Sequence, residues 1–292
     1  MVYDENSKYL AKDTAENYEK YLPKYYFFDD EIREYVEETV VVENKLSRES
    51  FNSVLEFGVG SGRITELLMP ISKKYKGIDI SDSMIKRINR RFPVEKSQFE
   101  VFDINEFINQ NIDGLRQYDF IGSYWAFNYA ILSFFEYRDL STGKTYAIDN
   151  LTEAEEKAKE QITKLFSNLS KGTKFLFLYF DAYSVEQSYV TSVLEQSLPF
   201  PYNDRGFTFR LFKKILHQLE SVKFVHEHKS GFVILDDDEH LIEYFKNLHL
   251  KGYLDSDESI ELLMNTFRAY KYEDGHYEIP AGMNIISGNI TI

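Results

Sequence analysis

The sequence contains no cysteine, so disulfide bridges, thiolate nucleophiles and cysteine-ligated zinc sites are all excluded. Histidine is scarce too, with six residues and no HExxH pair. His226 and His228 stand two positions apart, which would place both on one face of a strand. Paired surface histidines are more commonly solvated than metal-bound, and we therefore expect no metal in this protein.

Long apolar runs are also missing. No stretch approaches the roughly 18 consecutive apolar residues that a membrane helix requires. The first residues, with Asp4, Glu5 and Lys8, lack the apolar block of a signal peptide. The 6 prolines mark no linker between domains. These absences predict a cytoplasmic protein with no membrane partner and a single domain, and no feature predicts its oligomeric state.

Positive charge is in short supply, since 34 Lys and Arg residues face 48 Asp and Glu residues and give a net charge of −14. A nucleic-acid partner needs a basic surface that releases counterions, so the balance argues against one. The only basic cluster, residues 86–91, reads as the solvated face of a helix. Aromatic residues are plentiful by contrast, and most of the 22 tyrosines and 24 phenylalanines must fill the core.

Strands and helices alternate from residue 53 onward, which predicts an α/β fold with a doubly wound parallel sheet. Strand 174–180 is almost wholly apolar and should lie at the middle of that sheet. The predicted strands are 53–57, 75–80, 99–102, 118–123, 174–180 and 222–235, the last interrupted at Gly231. The predicted helices between them are 64–72, 83–91, 152–169 and 207–219.

Further helices flank this alternation. Segments 11–21 and 29–43 read as helices before the first strand, and 236–270 reads as two helices broken by Gly252 before a closing strand, 283–292. A helical pair between the last two strands cannot belong to the sheet, so it should cap the carboxyl edge as a lid. The predicted organisation is an N-terminal helical cap over 1–50, a core over 51–235, a helical lid over 236–280 and a last strand over 281–292.

A glycine-rich loop follows the first strand. Glu56 precedes Gly58, Gly60 and Gly62, which alternate where the strand ends. The dinucleotide-binding pattern requires a further glycine where Arg63 stands, and the phosphate loop ending in Gly-Lys-Ser/Thr is absent. Two interpretations remain for this segment alone: a ligand other than a pyrophosphate meets bare backbone here, or the loop is a tight turn without a ligand.

Acidic residues also close the next two strands. Asp79 ends the second strand, where its carboxylate can take both hydroxyls of a ribose, and Asp103 ends the third. Either residue alone is more often a helix cap or a solvated turn. Three consecutive strand ends with suitable acidic residues favour a shared ligand site, because ligands of such sheets bind outside the carboxyl ends of the strands.

The acidic residue followed by GxGxG resembles motif I of the class I S-adenosylmethionine-dependent methyltransferases, and the run from Gly77 to Met84 resembles their second strand end. The resemblance implies S-adenosylmethionine as cofactor and a Rossmann-like, mostly parallel sheet with an antiparallel last strand. It implies that Glu56 meets the methionine ammonium and that Asp103 accepts a hydrogen bond from the adenine. The implied cofactor-binding residues are Tyr18, Glu56, Phe57, Gly58, Gly60, Gly62, Asp79, Ile80, Met84, Asp103, Ile104 and Tyr124.

The cofactor's sulfonium methyl is already activated, so such an enzyme mainly holds the acceptor in line, excludes water and accepts any proton that leaves. The segment after the fourth strand offers Trp125, Asn128 and Tyr129 as catalytic candidates. Each has a structural alternative, since Trp125 can be a core residue and the other two can open the next helix.

Scattered aromatic and glycine positions from Glu243 to Pro280 resemble the lid of methyltransferases of the trans-aconitate carboxyl-methylating type. We therefore expect a small-molecule substrate, a metabolite methylated on oxygen or nitrogen. The alternatives are an RNA methyltransferase, supported only by residues 86–91, and a non-catalytic S-adenosylmethionine-binding or subunit protein.

Overall fold

A computed structural model gives the structure of the chain. The residues that it describes are 12–25, 51–92, 95, 97–138, 145–195, 203–250 and 252–292. The predicted helix 29–43 lies outside the described residues. The predicted helix 11–21 is confirmed as α1, Lys12–Tyr21.

The described strands form one large sheet and one small antiparallel pair. In the large sheet the strand order is β1-β9-β10-β8-β5-β2-β3-β4, and β6 pairs with β7. The strands are β1 Lys24–Tyr25, β2 Phe51–Phe57, β3 Ser72–Asp79, β4 Ser97–Val101, β5 Phe120–Tyr124, β6 Glu136–Arg138, β7 Thr145–Ala147, β8 Lys174–Phe180, β9 Val222–Leu235 and β10 Tyr277–Ile290.

Strand directions confirm the predicted fold class. The run β4-β3-β2-β5-β8 is parallel throughout, whereas the last strand, β10, is antiparallel to both β8 and β9. The two-residue strand β1, which the sequence did not predict, pairs antiparallel with β9. β8 lies between β5 and β10 and is therefore central, as its apolar sequence predicted.

Helices cover both faces of the sheet, as a parallel sheet requires. The helices are α2 Thr65–Leu68, α3 Asp82–Arg91, α4 Ile104–Gln110, α5 Phe127–Leu132, α6 Leu151–Ser167, α7 Val185–Leu194, α8 Phe207–Gln218, α9 Asp238–Tyr244 and α10 Asp257–Phe267. One face packs Leu55, Ile121 and Phe177 against α4, α5, α6 and α8. The other packs Val54, Phe120 and Leu178 against α2 and α3.

The helical pair between the last two strands is α9 and α10, as predicted. α9 continues into a π-helical turn, Phe245–His249, and Gly252 at φ +84° lies between the two helices. A third apolar cluster joins this pair to α7 and to the start of β10, through residues such as Tyr189, Phe245 and Phe267. α1 packs partly against the same cluster, through Tyr18, Tyr21 and Leu22.

Several predicted boundaries were wrong. The helix after β2 ends at Leu68 rather than Ser72, because Pro70 lacks an N–H and the chain tightens into a 3₁₀ turn before β3 begins. β9 runs through Gly231 without interruption, since Gly231 pairs with Ala281 across the ladder. The last strand begins at Tyr277, so residues 277–280 are sheet and not lid.

Helices α4 and α7 were not predicted. α4 begins one residue after Asp103, and α7 follows the central strand β8. No helix in the described ranges combines the length and the apolar character needed to cross a membrane.

Candidate functional site

A cavity lies at the carboxyl ends of the parallel strands, the place where ligands of such sheets bind. Residues of α1 and of the turn after α9 complete its wall. The lining residues are Tyr18, Leu22, Glu56, Gly58, Gly60, Ser61, Arg63, Ile64, Asp79, Ile80, Met84, Phe102, Asp103, Ile104, Tyr124, Trp125, Ala126, Tyr129, Ala130, Phe180, Tyr244, Leu248 and His249.

The three loop glycines all have positive φ, but their surroundings differ. Gly58, at φ +75°, lies so close to the start of α5 that a Cβ there would fall 2.2 Å from the Cβ of Ala126. Gly62 packs on α3, where a Cβ would fall 2.7 Å from Phe92. A Cβ on Gly60 would meet nothing within 4 Å, so open space lies above its backbone. The loop therefore leaves room for a ligand over Gly60.

Asp79, at the end of β3, holds the glycine loop in place. Its Oδ2 accepts the Gly60 N–H at 2.8 Å, and its Oδ1 accepts the Ser81 N–H at 2.9 Å. Burial raises the pKa of this carboxyl, and the two backbone hydrogen bonds counteract part of that shift. Each carboxylate oxygen can accept a further hydrogen bond, so Asp79 can order the loop and bind a ligand hydroxyl at the same time.

Glu56 is buried near the end of β2. Its Oε2 accepts the Thr65 hydroxyl at 2.5 Å and also the Tyr75 hydroxyl. Burial raises the pKa of Glu56 to about 7, and the two hydroxyl donors counteract part of that rise. A carboxyl with such a pKa is ready to ionise when a positive charge arrives beside it.

The raised pKa of Glu56 predicts a pH-dependent stability. Between the unfolded value of 4.5 and about 7, the folded state keeps a proton that the unfolded chain has lost. At about 1.4 kcal/mol per pKa unit, the free energy of unfolding should fall by up to about 3 kcal/mol as pH rises through this window.

Urea unfolding of the ligand-free protein at several pH values between about 5 and 8 measures this loss. Asp79, whose pKa is also raised, contributes with the same sign. The Glu56→Gln variant isolates the part due to Glu56 and should lose less stability over the window. Identical pH profiles for the wild type and Glu56→Gln would show that Glu56 does not titrate there.

Asp103 is both a helix cap and a cavity residue. Its Oδ1 accepts the N–H of Glu106 at 3.0 Å and so caps α4, which is the structural alternative that the sequence left open. Asp103 also lines the cavity, beside Phe102 and Ile104. Together with Ile80 and Met84, these side chains make an apolar wall with one carboxyl group at its edge.

Trp125 stands directly after β5 with φ 58°, the only positive φ of a non-glycine residue in the described part of the chain. Such a backbone costs free energy and occurs most often at functional sites. The indole packs 5.9 Å from the Phe180 ring, and both residues line the cavity. Trp125 therefore borders the site and is not a simple core residue.

Tyr18 from α1 and Tyr129 from α5 reach the same cavity. Burial raises the pKa of Tyr18, and the charges of Tyr129 and Asp79 raise it further, whereas Arg63 lowers it. All four side chains line the cavity, so they form one polar group at its wall.

Three predicted site residues do not line the cavity. Phe57 is fully buried and packs on Phe107 and Phe127. Gly62 packs against the side chains of Ile88 and Phe92 at α3. Asn128 lies outside the cavity at the start of α5. Every other predicted residue does line it: Tyr18, Glu56, Gly58, Gly60, Asp79, Ile80, Met84, Asp103, Ile104, Tyr124, Trp125 and Tyr129.

Sequence reasoning missed the part of the wall that the π-helical turn supplies. Tyr244, Leu248 and His249 line the cavity, and the Leu250 N–H bonds to the Phe245 carbonyl at 2.7 Å to close the turn. Arg63 was also missed as a lining residue, although it had served to exclude a pyrophosphate.

In the described ranges, no three His, Asp or Glu side chains come together in a way that could hold a metal ion. His226 and His228 instead pair with a polar neighbour each. Nε2 of His226 lies 2.9 Å from Asn284 Oδ1, and Nε2 of His228 lies 2.9 Å from Asp181 Oδ2.

Comparisons with known proteins agree with this geometry. Residues 55–139 match a family model described as "Methyltransferase domain", and this range contains the glycine loop, Asp79, Asp103 and Trp125. No curated protein matches the chain.

Among solved structures, the YcgJ protein from Bacillus subtilis is 9% identical with a TM-score of 0.48, covering 88% of this chain and 99% of its own. The N-methyltransferase NodS from Bradyrhizobium japonicum, in complex with S-adenosyl-L-homocysteine, is 12% identical with a TM-score of 0.43, covering 90% and 87%. The plantazolicin methyltransferase BpumL, in complex with a monoazolic desmethylPZN analogue and SAH, is 16% identical with a TM-score of 0.46, covering 98% of this chain and 91% of its own.

These TM-scores are too low to carry an inference about the substrate of this chain. The matched range supplies the glycine loop and the acidic residues that line the cavity. Residues 55–139 of this chain are thus similar to a methyltransferase domain, and the cavity at the strand ends lies largely within that domain.

Proposed function

We propose that this enzyme transfers the methyl group of S-adenosylmethionine to an oxygen or nitrogen of a small metabolite. The observation that carries the proposal is the covered cavity. Tyr18 of α1 and Leu22 just after that helix, together with Tyr244, Leu248 and His249 from the lid, line the same space as the glycine loop. An acceptor that reaches the methyl group inside such a cavity must be compact.

The residues present fit the cofactor at each of its chemical groups. Open space over Gly60 would admit the methionine part, with Glu56 to hold the ammonium and Arg63 and Tyr18 to hold the carboxylate. Asp79 would accept hydrogen bonds from the ribose hydroxyls. The side chains of Ile80, Met84 and Ile104 would hold the adenine, and Asp103 would accept a hydrogen bond from its amino group.

When bound, the cofactor supplies an electrophilic methyl group on a sulfonium. The chain's own residues position the acceptor behind that carbon and keep water out. Trp125 and Phe180 form an aromatic wall, beside which the positive charge of the sulfonium would be stabilised. Tyr129 offers a hydroxyl group to the acceptor. Asn128 takes no part in this scheme.

We propose further that the chain works as one domain in which α1 and the α9–α10 pair act as covers. Both elements share one apolar cluster, through Tyr18, Leu241 and Phe267. A cover of this kind must open for the substrate and close for the reaction. The resemblance of its sequence to the trans-aconitate type stays a prediction.

A second candidate acceptor is RNA, because a groove lined by Arg63, Arg87, Arg90 and Arg91 adjoins the cavity. Arg87 pairs with Glu19 at 2.6 Å, and Arg91 pairs with Glu66. Much of the groove's positive charge is therefore neutralised within the protein, and the net charge of −14 also opposes a polyanion.

Transfer of a labelled methyl group separates these acceptors. The purified protein is incubated with labelled S-adenosylmethionine and, separately, with a protein-free metabolite extract and with total RNA. We expect label in the metabolite fraction and none in the RNA, with Asp79→Asn as the inactive control. Label in RNA alone would contradict the proposed acceptor, and no label in either fraction would contradict transfer to a small metabolite.

A further inference from the structure

A buried polar cluster lies behind the lid side of the cavity and has no role in cofactor binding. Glu186, at the start of α7, is fully buried, and its Oε1 accepts the Tyr244 hydroxyl. The same oxygen accepts Gln187 Nε2 at 2.7 Å and lies 3.4 Å from His249 Nε2. The Tyr244 oxygen lies 3.0 Å from that imidazole nitrogen.

Burying a carboxylate is costly unless other groups compensate for its lost hydration. Oε2 of Glu186 has no hydrogen-bond partner among the described residues, so hydrogen bonds on Oε1 alone compensate this group. A positive charge opposite the carboxylate would compensate it far better. Arg205 reaches the cluster only through Gln187, whose Oε1 accepts its Nη1 at 2.7 Å. The His249 imidazole lies directly beside the carboxylate, and Glu186 therefore stabilises the charge that this ring gains on taking a proton.

The hydrogen bond from Tyr244 to Glu186 favours one tautomer of His249. Because Tyr244 donates its hydroxyl hydrogen to Glu186, its oxygen can accept a hydrogen bond from Nε2 of His249. With the hydrogen on Nε2, the basic lone pair of the neutral ring is on Nδ1. A histidine oriented by a carboxylate in this way is the usual arrangement for proton transfer.

His249 reaches the cavity although its side chain is almost fully buried. The π-helical turn places it there, and such turns occur frequently at functional sites. Its ring lies 6.0 Å from the Phe180 ring, which in turn lies 5.9 Å from the indole of Trp125. The imidazole thus belongs to the aromatic side of the cavity, where we place the acceptor.

We propose that His249 is the general base of methyl transfer and that Glu186 and Tyr244 are its positioning residues. This assignment rests on the proposed function. The acceptor oxygen or nitrogen forms the bond to the methyl carbon, the sulfur–carbon bond breaks, and its electron pair returns to sulfur. The proton of the acceptor passes to Nδ1 of His249 and from there to solvent.

Other titratable groups share the cavity and can shape its pH dependence. Those lining it are Tyr18, Glu56, Arg63, Asp79, Asp103, Tyr124, Tyr129 and Tyr244. Rates are therefore measured at saturating S-adenosylmethionine, where ionisations that affect only cofactor binding no longer appear. If the ionisation of His249 causes a limb of the pH profile of kcat, that limb must disappear when His249 is substituted.

The test compares the wild type with His249→Gln, using catechol, phenethylamine, trans-aconitate and the metabolite extract as acceptors. Catechol and the amine must lose a proton, whereas a carboxylate at neutral pH has none to lose. We expect His249→Gln to lower kcat at least about 100-fold with catechol or phenethylamine and to remove the low-pH limb of the pH profile, in which the rate falls as the base takes up a proton. Transfer to trans-aconitate and affinity for S-adenosylhomocysteine should change less than about threefold.

Control variants distinguish catalysis from structure. His240→Gln alters another lid histidine, which does not line the cavity, and should leave every rate within about twofold. Glu186→Gln should lower kcat about tenfold, move the limb to lower pH and leave KM unchanged, because the imidazolium loses its counter-charge. Tyr244→Phe keeps the ring and should lower kcat less than Glu186→Gln.

The outcomes separate this assignment from the function on which it rests. Transfer to no acceptor by the wild type overturns the proposed function and the assignment with it. Equal rates for the wild type and His249→Gln, an unchanged pH limb, or transfer by the wild type to trans-aconitate alone overturns the assignment and leaves the methyltransferase intact. An equal loss on all acceptors together with weaker S-adenosylhomocysteine binding shows a structural role and overturns it too.

Discussion

The Gly58→Ala variant is expected to lose about 2 to 5 kcal/mol of folding stability and most of its affinity for S-adenosylmethionine. The backbone at φ +75° costs an L-residue about 1 to 2 kcal/mol. The new methyl group adds about 1 to 3 kcal/mol, because it would stand 2.2 Å from the Cβ of Ala126. Relief of that clash must move the glycine loop away from α5.

The affinity loss follows from the same movement. If the displaced loop loses two backbone hydrogen bonds to charged groups of the cofactor, at about 1.5 kcal/mol or more each, binding weakens at least about 100-fold. Urea unfolding and calorimetric titration measure the two effects.

Gly172→Ala is the matched control for Gly58→Ala. Gly172 has φ +88°, yet a Cβ there meets nothing within 4 Å, so only the backbone cost applies. We expect a loss of about 1 to 2 kcal/mol and unchanged cofactor affinity. If Gly58→Ala matched Gly172→Ala in both measurements, the close approach of the loop to α5 would have no importance for the site.

The Asp79→Asn variant should bind S-adenosylmethionine about 100- to 1000-fold more weakly at neutral pH. An amide accepts through one oxygen only, so its NH2 group would face the N–H of either Gly60 or Ser81. The ribose hydroxyls lose a charged acceptor as well. Two charge-assisted bonds at about 1.5 to 2 kcal/mol each give the expected range.

A ribose-specific readout distinguishes direct contact from loop disorder. The wild type should bind S-adenosylhomocysteine at least about tenfold more tightly than its 2′-deoxy analogue, and Asp79→Asn should bind the two equally. Asp82→Asn is the control, since Asp82 is exposed, pairs with Lys86 on its own helix and does not line the cavity. Equal discrimination by the wild type and Asp79→Asn would place the ribose elsewhere.

The cofactor side of the site could be predicted because its signals are local. Glu56, Gly58 and Gly60 follow one another along the chain, Asp79 ends β3, and Asp103 follows the end of β4 by two residues. The sheet then brings these strand ends together without further information, since all of the strands involved are parallel. Of the predicted residues, Phe57, Gly62 and Asn128 do not line the cavity.

The acceptor side could not be predicted in the same way. The apolar spacing of α9 predicts a buried helix but not which residues of the following turn reach the cavity. The π-helical turn adds one residue to the helical repeat and so turns Leu248 and His249 toward the site. Glu186 lies 63 positions before His249. Local sequence spacing cannot predict that two residues so far apart lie in contact.

The boundary errors have local causes of a different kind. The glycine at position 231 predicts an interruption of the strand, whereas pairing with Ala281 keeps the strand continuous. At the other end, Pro280 obscured the alternation of buried Tyr277, Ile279 and Ala281 that marks β10. Cross-strand pairing overrides such single-residue signals.

We expect the cavity at the strand ends to bind S-adenosylmethionine. Calorimetric titration of the wild-type protein with S-adenosylhomocysteine measures this binding, with NAD as the comparison ligand. We expect one site per chain, micromolar or tighter affinity, at least about 100-fold weaker binding to Asp79→Asn, and no heat with NAD. No binding of S-adenosylhomocysteine, or equal binding of NAD, would contradict it.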